Sequence, residues 1–575
     1  MKLPIVATLL LALVGVQARA GSPEPVVQNP APYELVILNG KIVDGTGNAW
    51  FLGDLAVRGD VIARITPAGQ LLEAPAKRRI DASGLVVAPG FIDIQGHSRS
   101  ELLEGDGRLV GKVSQGVTTE ILGEGESNAP SRRFDGSHGF DAWLKAMKKH
   151  GGSVNFGSFV GSQTVRSYVK GMRSGEPTPA ELETMKKLVR DAMKDGAFGL
   201  ASALIYPPDT FVSTDVLIAL SREMVPSGGV YITHLRSEAD QLLEAIDEAI
   251  KIGREGGVPV EIYHLKAAGQ RNWDKARLAV DKINEARAKG LDIGANMYPY
   301  VAAGTGLTAC LPPSASVDGK LLDNLSDPKT RQAIIEEVLH PRTPYENLGE
   351  LASPEGILVL GLEKSPMKKY AGKRLDEIAR LEGKPWVETA IDLLLAERHR
   401  IDTIYFLMSE ENLKLQLRQP WIKFGTDASG HDPDKPDKLV HPRSYGTFAR
   451  ILGKYVREEG VLTLEDAVRK MTSAVAARLS IRDRGLLREG YQADLVVFDP
   501  LTIADKATYD VPHQTSAGIR YVFVNGTAVI LEGKHTGALP GRIVRGPGYR
   551  VTSEPAPPIR SGDPESKVID ERQNP

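Results

Sequence analysis

Strand, helix and strand recur about every thirty residues through the middle of this chain, the spacing of βαβ units that build a parallel sheet. The apolar runs 230–233 and 258–263 flank a helix whose Leu242, Leu243, Ala245, Ile246, Ala249 and Ile250 share one face. Residues 273–289 form a second amphipathic helix leading into a strand at 291–295. Another helix starts at Thr178-Pro179-Ala180-Glu181, where Thr and Glu form a capping box and Pro presets the first helical φ. The chain is therefore read as α/β. Its 575 residues leave room for one large domain and a smaller companion. A TIM-like (β/α)8 barrel is the leading architecture, with an open doubly wound sheet as the alternative.

The ends of the chain have a different texture. Strands at 35–38 and 41–43 flank Asn39-Gly40, and strands at 54–57 and 61–65 flank Gly59-Asp60. Both read as hairpins, because tight turns need positive φ. Residues 494–498 and 521–526 repeat the pattern. Neither segment can bury a core alone, so residues 33–88 and 485–545 are expected to combine into one small β-sandwich. The barrel then occupies 89–484, with a small insertion at about 303–360 where Pro, Gly and a charged helix break the rhythm. Residues 546–575 are aperiodic and rich in Pro, Arg and Glu, and are expected to be a mobile tail.

Residues 1–20 read as a secretory signal: Lys2, the apolar run 5–16, and the small-x-small site Ala18-Arg19-Ala20. The run is too short to span a bilayer, so no membrane anchor is expected after cleavage. A Pro-rich linker, 21–32, follows, and the protein is expected to be exported, periplasmic or secreted. The net charge is -2 and there is no long Lys/Arg block, which argues against nucleic acid as a partner. Cys310 is the only cysteine. An intramolecular disulfide and a thiolate metal cluster are both excluded, so any metal must be held by His and carboxylates.

Such residues stand where the architecture would bring them together. His97 follows the apolar stretch 87–93, His234 ends 230–233, His264 ends 259–263, and Asp427 follows 421–424. In a parallel barrel the C-terminal ends of the strands converge on one face, where active sites of this fold lie. A single His at a strand end is more often a hydrogen-bonded structural residue. The recurrence at intervals of whole βα units points instead to a site in which imidazoles and a carboxylate hold Zn²⁺.

Ala88-Pro89-Gly90-Phe91-Ile92-Asp93, Gln115-Gly116-Val117-Thr118-Thr119, Tyr231-Ile232-Thr233-His234-Leu235-Arg236 and His264-Leu265-Lys266-Ala267-Ala268-Gly269 resemble the amidohydrolase superfamily. Within it they look like the N-acyl-D-amino-acid deacylase, or D-aminoacylase, family. Tyr298-Pro299-Tyr300, Gly425-Thr426-Asp427, the run from His441-Pro442-Arg443 to Phe448, and Arg484-Gly485-Leu486 extend the match over roughly residues 33–545. The resemblance implies a zinc-dependent deacylase acting on a small acyl amino acid through metal-activated water. It makes His234 and His264 zinc ligands and Asp427 the catalytic proton shuttle. It also offers Lys266, Tyr298, Arg443 and Tyr206 for substrate binding, while His431 and His441 are assigned to the rim.

Two departures from the family pattern shape the metal reading. The usual His-x-His of the first strand is Gln95-Gly96-His97, and the usual cysteine turn of the second is Gly123-Glu124-Gly125-Glu126-Ser127. Glu124 is taken as the replacement ligand, with Glu126 as the alternate. One tight zinc at Glu124, His234 and His264, with His97 beside it, is preferred to a pair. Asn296 stands where many relatives have Asp, with no role readable in sequence. Other functions weighed are a cyclic amide or ureide ring-opener, a dipeptidase, and a non-catalytic binding barrel. The ring-openers use a bridging lysine that has no convincing counterpart here.

Overall fold

The computed structural model describes Met1 and residues 31–550, apart from residues 343 and 437. The signal 1–20 and all but the last two residues of the linker 21–32 therefore lie outside the described residues, as do 551–575 of the tail. Among the described residues, no helix is long and apolar enough to cross a membrane.

The middle of the chain is α/β with parallel pairing throughout its central strands. One sheet joins Phe91–Asp93, Val117–Leu122 and Asn155–Ser158. A second runs from Val160–Gly161 through Gly199–Ala203, Val230–His234, Val260–Ile262 and Ile293–Met297 to Ile422–Phe424. These strands are short and wholly buried, as expected where helices cover a parallel sheet. The two sheets are continuous in sequence through Phe159, whose N–H donates to Leu122 O at 2.9 Å. At the other end, Gly96 and Ala428 form a parallel bridge, and Asp427 N–H donates to Gln95 O at 2.8 Å. The last strand thus reaches the segment that follows the first. Asp93 reinforces the junction, accepting from Thr426 N–H at 2.9 Å and from Lys112 Nζ at 2.7 Å.

The helices follow their sequence signals. Thr178 and Glu181 make both halves of the capping box on Pro179–Lys194. Leu242–Gly256 buries Leu242, Ala245, Ile246, Ala249 and Ile250 against the sheet, and Leu243 is only partly buried.

Both ends of the chain contribute to one nine-stranded sheet, joined where Val86–Pro89 pairs antiparallel with Leu495–Phe498. Gly59-Asp60 turns a hairpin between Phe51–Arg58 and Val61–Pro67. Asn39-Gly40 does not. Leu35–Ile42 runs through it as a single strand whose register slips between Ile37 and Gly40. The positive φ of Asn39, 59°, serves a bulge, and its N–H donates to Asp54 Oδ1.

After residue 302 the strands pair antiparallel, with a partner as far along as residue 406. Ala302–Gly306 and Ile357–Val359 both pair antiparallel with Asp402–Phe406. A hydrophobic cluster from Leu307 to Leu407 packs over this sheet. At the C-terminus, residues 546–550 are held to the chain: Gly546 N–H donates to Gly196 O at 2.8 Å and Arg550 N–H to Lys194 O at 3.1 Å.

Candidate metal centre and active site

The strand ends deliver their polar residues to one cavity of about 360 Å³, lined by His97, Glu124, His234, His264, Tyr298 and Asp427 among others. His264 and Asp427 are both non-glycine residues with positive φ, 32° and 50°. Such conformations persist only where the surroundings over-determine them, and they cluster at functional sites. Asn296 supplies part of that constraint, because its Oδ1 accepts the His264 backbone N–H at 2.9 Å. Replacing Asn296 by Ala strands that buried N–H, and the expected loss is about 1–3 kcal/mol of unfolding free energy. Chemical denaturation measures it, and an unchanged midpoint would show that the side chain does not support the turn.

Glu124 Oε1 lies 2.9 Å from His264 Nε2 and 3.2 Å from His234 Nδ1. Zinc bonds of about 2.0–2.2 Å at a tetrahedral angle place neighbouring ligand atoms about 3.3 Å apart, so these three atoms fit a zinc ion. They form one of two groups able to hold a metal among the described residues; the other is His97, Glu124 and Asp427. His97 Nε2 is 2.9 Å from Asp427 Oδ1 and 3.3 Å from Glu124 Oε2.

The electrostatics agree with a site built around positive charge. Burial disfavours a charged imidazole at His97, yet the hydrogen bonds to Asp427 and Glu124 push its pKa up to about 10. At His264, burial and Lys266 act against protonation, but Glu238 and Glu124 outweigh them and raise it to about 9. Burial opposes ionisation of Glu124 and Asp427, but both are held below the ordinary carboxylate range, Glu124 chiefly by His264 and Asp427 chiefly by Arg443. Two carboxylates among three imidazoles form a donor set suited to zinc.

The family's missing histidine has a visible substitute. The Gln95 side-chain amide donates to Glu124 Oε2 and so fixes the carboxylate whose other oxygen faces His234 and His264. Gly96 beside it is required by a close approach, since a Cβ there would lie 2.0 Å from Glu120 Oε1. Glu126, the alternate ligand, instead pairs with Arg99 at 3.0 Å and belongs to neither metal-capable group.

A model of the amidohydrolase family matches residues 354–530. Over 89% of this chain and 98% of the relative, the sequence is 35% identical to D-aminoacylase of Alcaligenes xylosoxydans xylosoxydans. This chain belongs to the D-aminoacylase family. A solved D-aminoacylase, described by its binuclear metal centre with one-metal activation and second-metal attenuation, superposes with a TM-score of 0.74 at 33% identity, covering 89% of this chain and all of that one. The N-acyl-D-glutamate deacylase of Bordetella bronchiseptica, solved with zinc and a phosphonate mimic of the tetrahedral intermediate, gives the same TM-score and coverage at 30% identity.

The remaining candidates surround the centre of this D-aminoacylase-family site. Arg443 Nη1 is 2.6 Å from Asp427 Oδ2, its Nη2 donates to Gly304 O at 3.1 Å, and its guanidinium lies 4.7 Å over Tyr298. Tyr206 packs its ring on His234 and bonds Thr305 through its hydroxyl at 2.8 Å. Lys266 is turned to Glu238 at 2.6 Å and to His264 Nδ1 at 2.8 Å. His441 is only 6% exposed and lines the cavity beside Arg443. Its Nδ1 accepts the Arg443 backbone N–H, and burial together with Arg443 drives its pKa well below the ordinary value. His431 lines the cavity as well.

Sequence reasoning missed Glu238, whose carboxylate is 2.9 Å from His264 Nδ1 and 3.5 Å from His234 Nε2. It also missed Glu346, Arg400 and Asp402, which line the cavity from the segment after residue 302. Burial pushes Glu346 up to about 7. Only Glu238 had any signal, its place four residues after His234, and nothing marked that spacing as contact.

Proposed function

We propose that this protein is an exported, zinc-dependent amidohydrolase that cleaves N-acyl-D-amino acids to a carboxylate and a free amino acid. The observation that carries the reading is the convergence of Glu124 Oε1, His234 Nδ1 and His264 Nε2 beside Asp427, in a chain whose relatives are D-amino-acid deacylases. The nine parallel strands from Phe91–Asp93 round to Ile422–Phe424, counted as eight with 155–161 taken as one continuous strand, make one closed (β/α)8 barrel in this proposal. The Gly96–Ala428 bridge supports closure over an open sheet. The terminal sheet takes the place of the β-sandwich, covering 33–88 and 485–545, and 303–360 forms part of the inserted module. Export rests on Lys2, the apolar run 5–16 and Ala18-Arg19-Ala20.

One zinc is preferred to two because Gln95 stands where the second position would take an imidazole, and its amide donates to Glu124 Oε2. Zinc at Glu124, His234 and His264 would lower the pKa of water and polarise the scissile carbonyl. Asp427 accepts the proton that the attacking water loses and returns it to the departing nitrogen. His97, at 2.9 Å from Asp427 Oδ1, and Arg443 on its other oxygen hold that carboxylate in line. Arg443, over the Tyr298 face, is the fork for the substrate carboxylate. Tyr206 and Lys266 complete the substrate wall. Of the described lysines that line the cavity, Lys266 is paired with Glu238 and Lys438 with Asp402, which disfavours the ring-opening alternatives.

Two measurements test the reading together. Metal analysis of the purified protein is expected to find about one zinc per chain. A panel of N-acetyl D- and L-amino acids is expected to be hydrolysed on the D side, with activity lost to a chelator and restored by zinc. Metal-free protein with no turnover of any member would make it a binding barrel instead.

A further inference from the structure

We propose that Glu238 is a positioning residue that sets both zinc-ligand histidines at once through the nitrogens facing away from the metal. The inference rests on the ligand set proposed above. His264 turns Nε2 and His234 turns Nδ1 toward Glu124 Oε1. A neutral imidazole has one N–H and one lone pair, so a nitrogen that ligates metal obliges the other to carry the proton and find an acceptor. For His264 that other nitrogen is Nδ1, 2.9 Å from Glu238 Oε1; for His234 it is Nε2, 3.5 Å from Glu238 Oε2. One carboxylate thus offers an oxygen to each ring. Both contacts are ion-pair distances rather than aligned hydrogen bonds. His234 Nε2 is buried and has no hydrogen-bond partner among the described residues, so the carboxylate oxygen of Glu238 beside it is the acceptor that a proton on this nitrogen would turn to.

The surroundings fix Glu238 for this task. Its backbone N–H donates to Glu346 Oε2 at 2.6 Å, and its carbonyl accepts Ala268 N–H at 2.8 Å. Lys266 Nζ donates to its Oε1 at 2.6 Å, and the side chain is 7% exposed. Lys266 also lies 2.8 Å from His264 Nδ1. With Glu238 removed, the ammonium would be left as the one partner of that nitrogen among the described residues and drive the ring proton to Nε2, where the metal must bind. Glu238 therefore selects between two tautomers that the local geometry otherwise leaves in competition.

The test is metal binding rather than turnover alone. Glu238→Gln keeps the shape but replaces one acceptor oxygen by a donor. It is expected to weaken Zn²⁺ and Co²⁺ binding 10- to 100-fold in chelator-competition titrations, while the metal-free protein still folds with a lowered melting temperature because Lys266 loses its buried partner. Glu238→Asp, which keeps the charge, is expected to fall between Gln and wild type. Zinc affinity within twofold of wild type in Glu238→Gln, or an Asp variant no tighter than Gln, overturns the proposal. Should the Gln variant fail to fold, ¹⁵N NMR of the zinc-loaded wild type decides. His264 is expected as the Nδ1–H and His234 as the Nε2–H tautomer, and the opposite tautomers overturn it. Wild type that binds zinc but cleaves no N-acyl-D-amino acid removes the substrate reading and leaves this one standing. Wild type that binds no zinc removes both.

Discussion

Asp427→Asn is expected to lower kcat about 10³-fold, within the 10²–10⁴ range of general acid–base groups, while leaving zinc bound. The substitution is unusually clean at this position. Asp427 has φ 50°, and Asn is among the few residues that tolerate the left-handed region, so the turn is not strained. The amide retains the size of the carboxylate and can still meet His97 Nε2, but it cannot take a proton from water. It is absent from the group formed by Glu124, His234 and His264, so zinc content should hold. The interaction lost is made in the transition state, so kcat and kcat/KM should fall together, by about 4 kcal/mol in activation free energy. A rise in KM beyond that would report Arg443, which loses its ion partner at 2.6 Å. Activity within tenfold of wild type would remove Asp427 from the chemistry. Loss of zinc with the activity would instead make it a ligand through the second group, with His97 and Glu124.

That a site existed could be read from sequence because strand ends in a parallel array share one face. His97, His234, His264 and Asp427 each follow a short apolar run, and the chain places all four around one cavity. The α/β rhythm was legible for the same reason: buried strands and one-faced helices leave a local signature. Non-local pairing leaves none. Asp402–Phe406 lies between Ala302–Gly306 and Ile357–Val359, and its role as the middle strand of that sheet is invisible until the partners are placed. Asn39-Gly40 misled because positive φ is needed equally by a tight turn and by a bulge, and only register separates them. Asn296 looked like an unexplained lost acid. In the fold it is a hydrogen-bond acceptor for the strained turn at His264, a task that an amide oxygen performs without charge. Glu238 was passed over because His234-Leu235-Arg236-Ser237-Glu238 follows a strand rather than lying on a helix, so its i, i+4 spacing predicted no contact.

The choice between the two glutamates of Gly123-Glu124-Gly125-Glu126-Ser127 also required the fold, and it supplies the second large effect. Glu124→Ala is expected to lose zinc, and Glu126→Ala is expected to keep it. Binding free energies of roughly 10–16 kcal/mol for four-ligand zinc sites assign about 3 kcal/mol to each ligand, so losing Glu124 should weaken zinc on the order of 10²–10³-fold. The cost does not end with one bond. Glu124 Oε1 is also the atom that His264 Nε2 and His234 Nδ1 both approach, at 2.9 and 3.2 Å, so its removal leaves two imidazoles facing each other with ring centroids 4.4 Å apart. It also releases Gln95, whose amide holds the other oxygen. Glu126→Ala breaks a largely buried pair with Arg99, so stability should fall while zinc is kept. Equilibrium dialysis followed by metal analysis reads both variants on one scale, and turnover at saturating zinc separates weak binding from lost chemistry. Zinc retained in Glu124→Ala and lost in Glu126→Ala would reverse the ligand assignment. Retention in both would move the metal to the histidines and Asp427 alone, and Glu124 would then be a carboxylate that orients imidazoles without ligating.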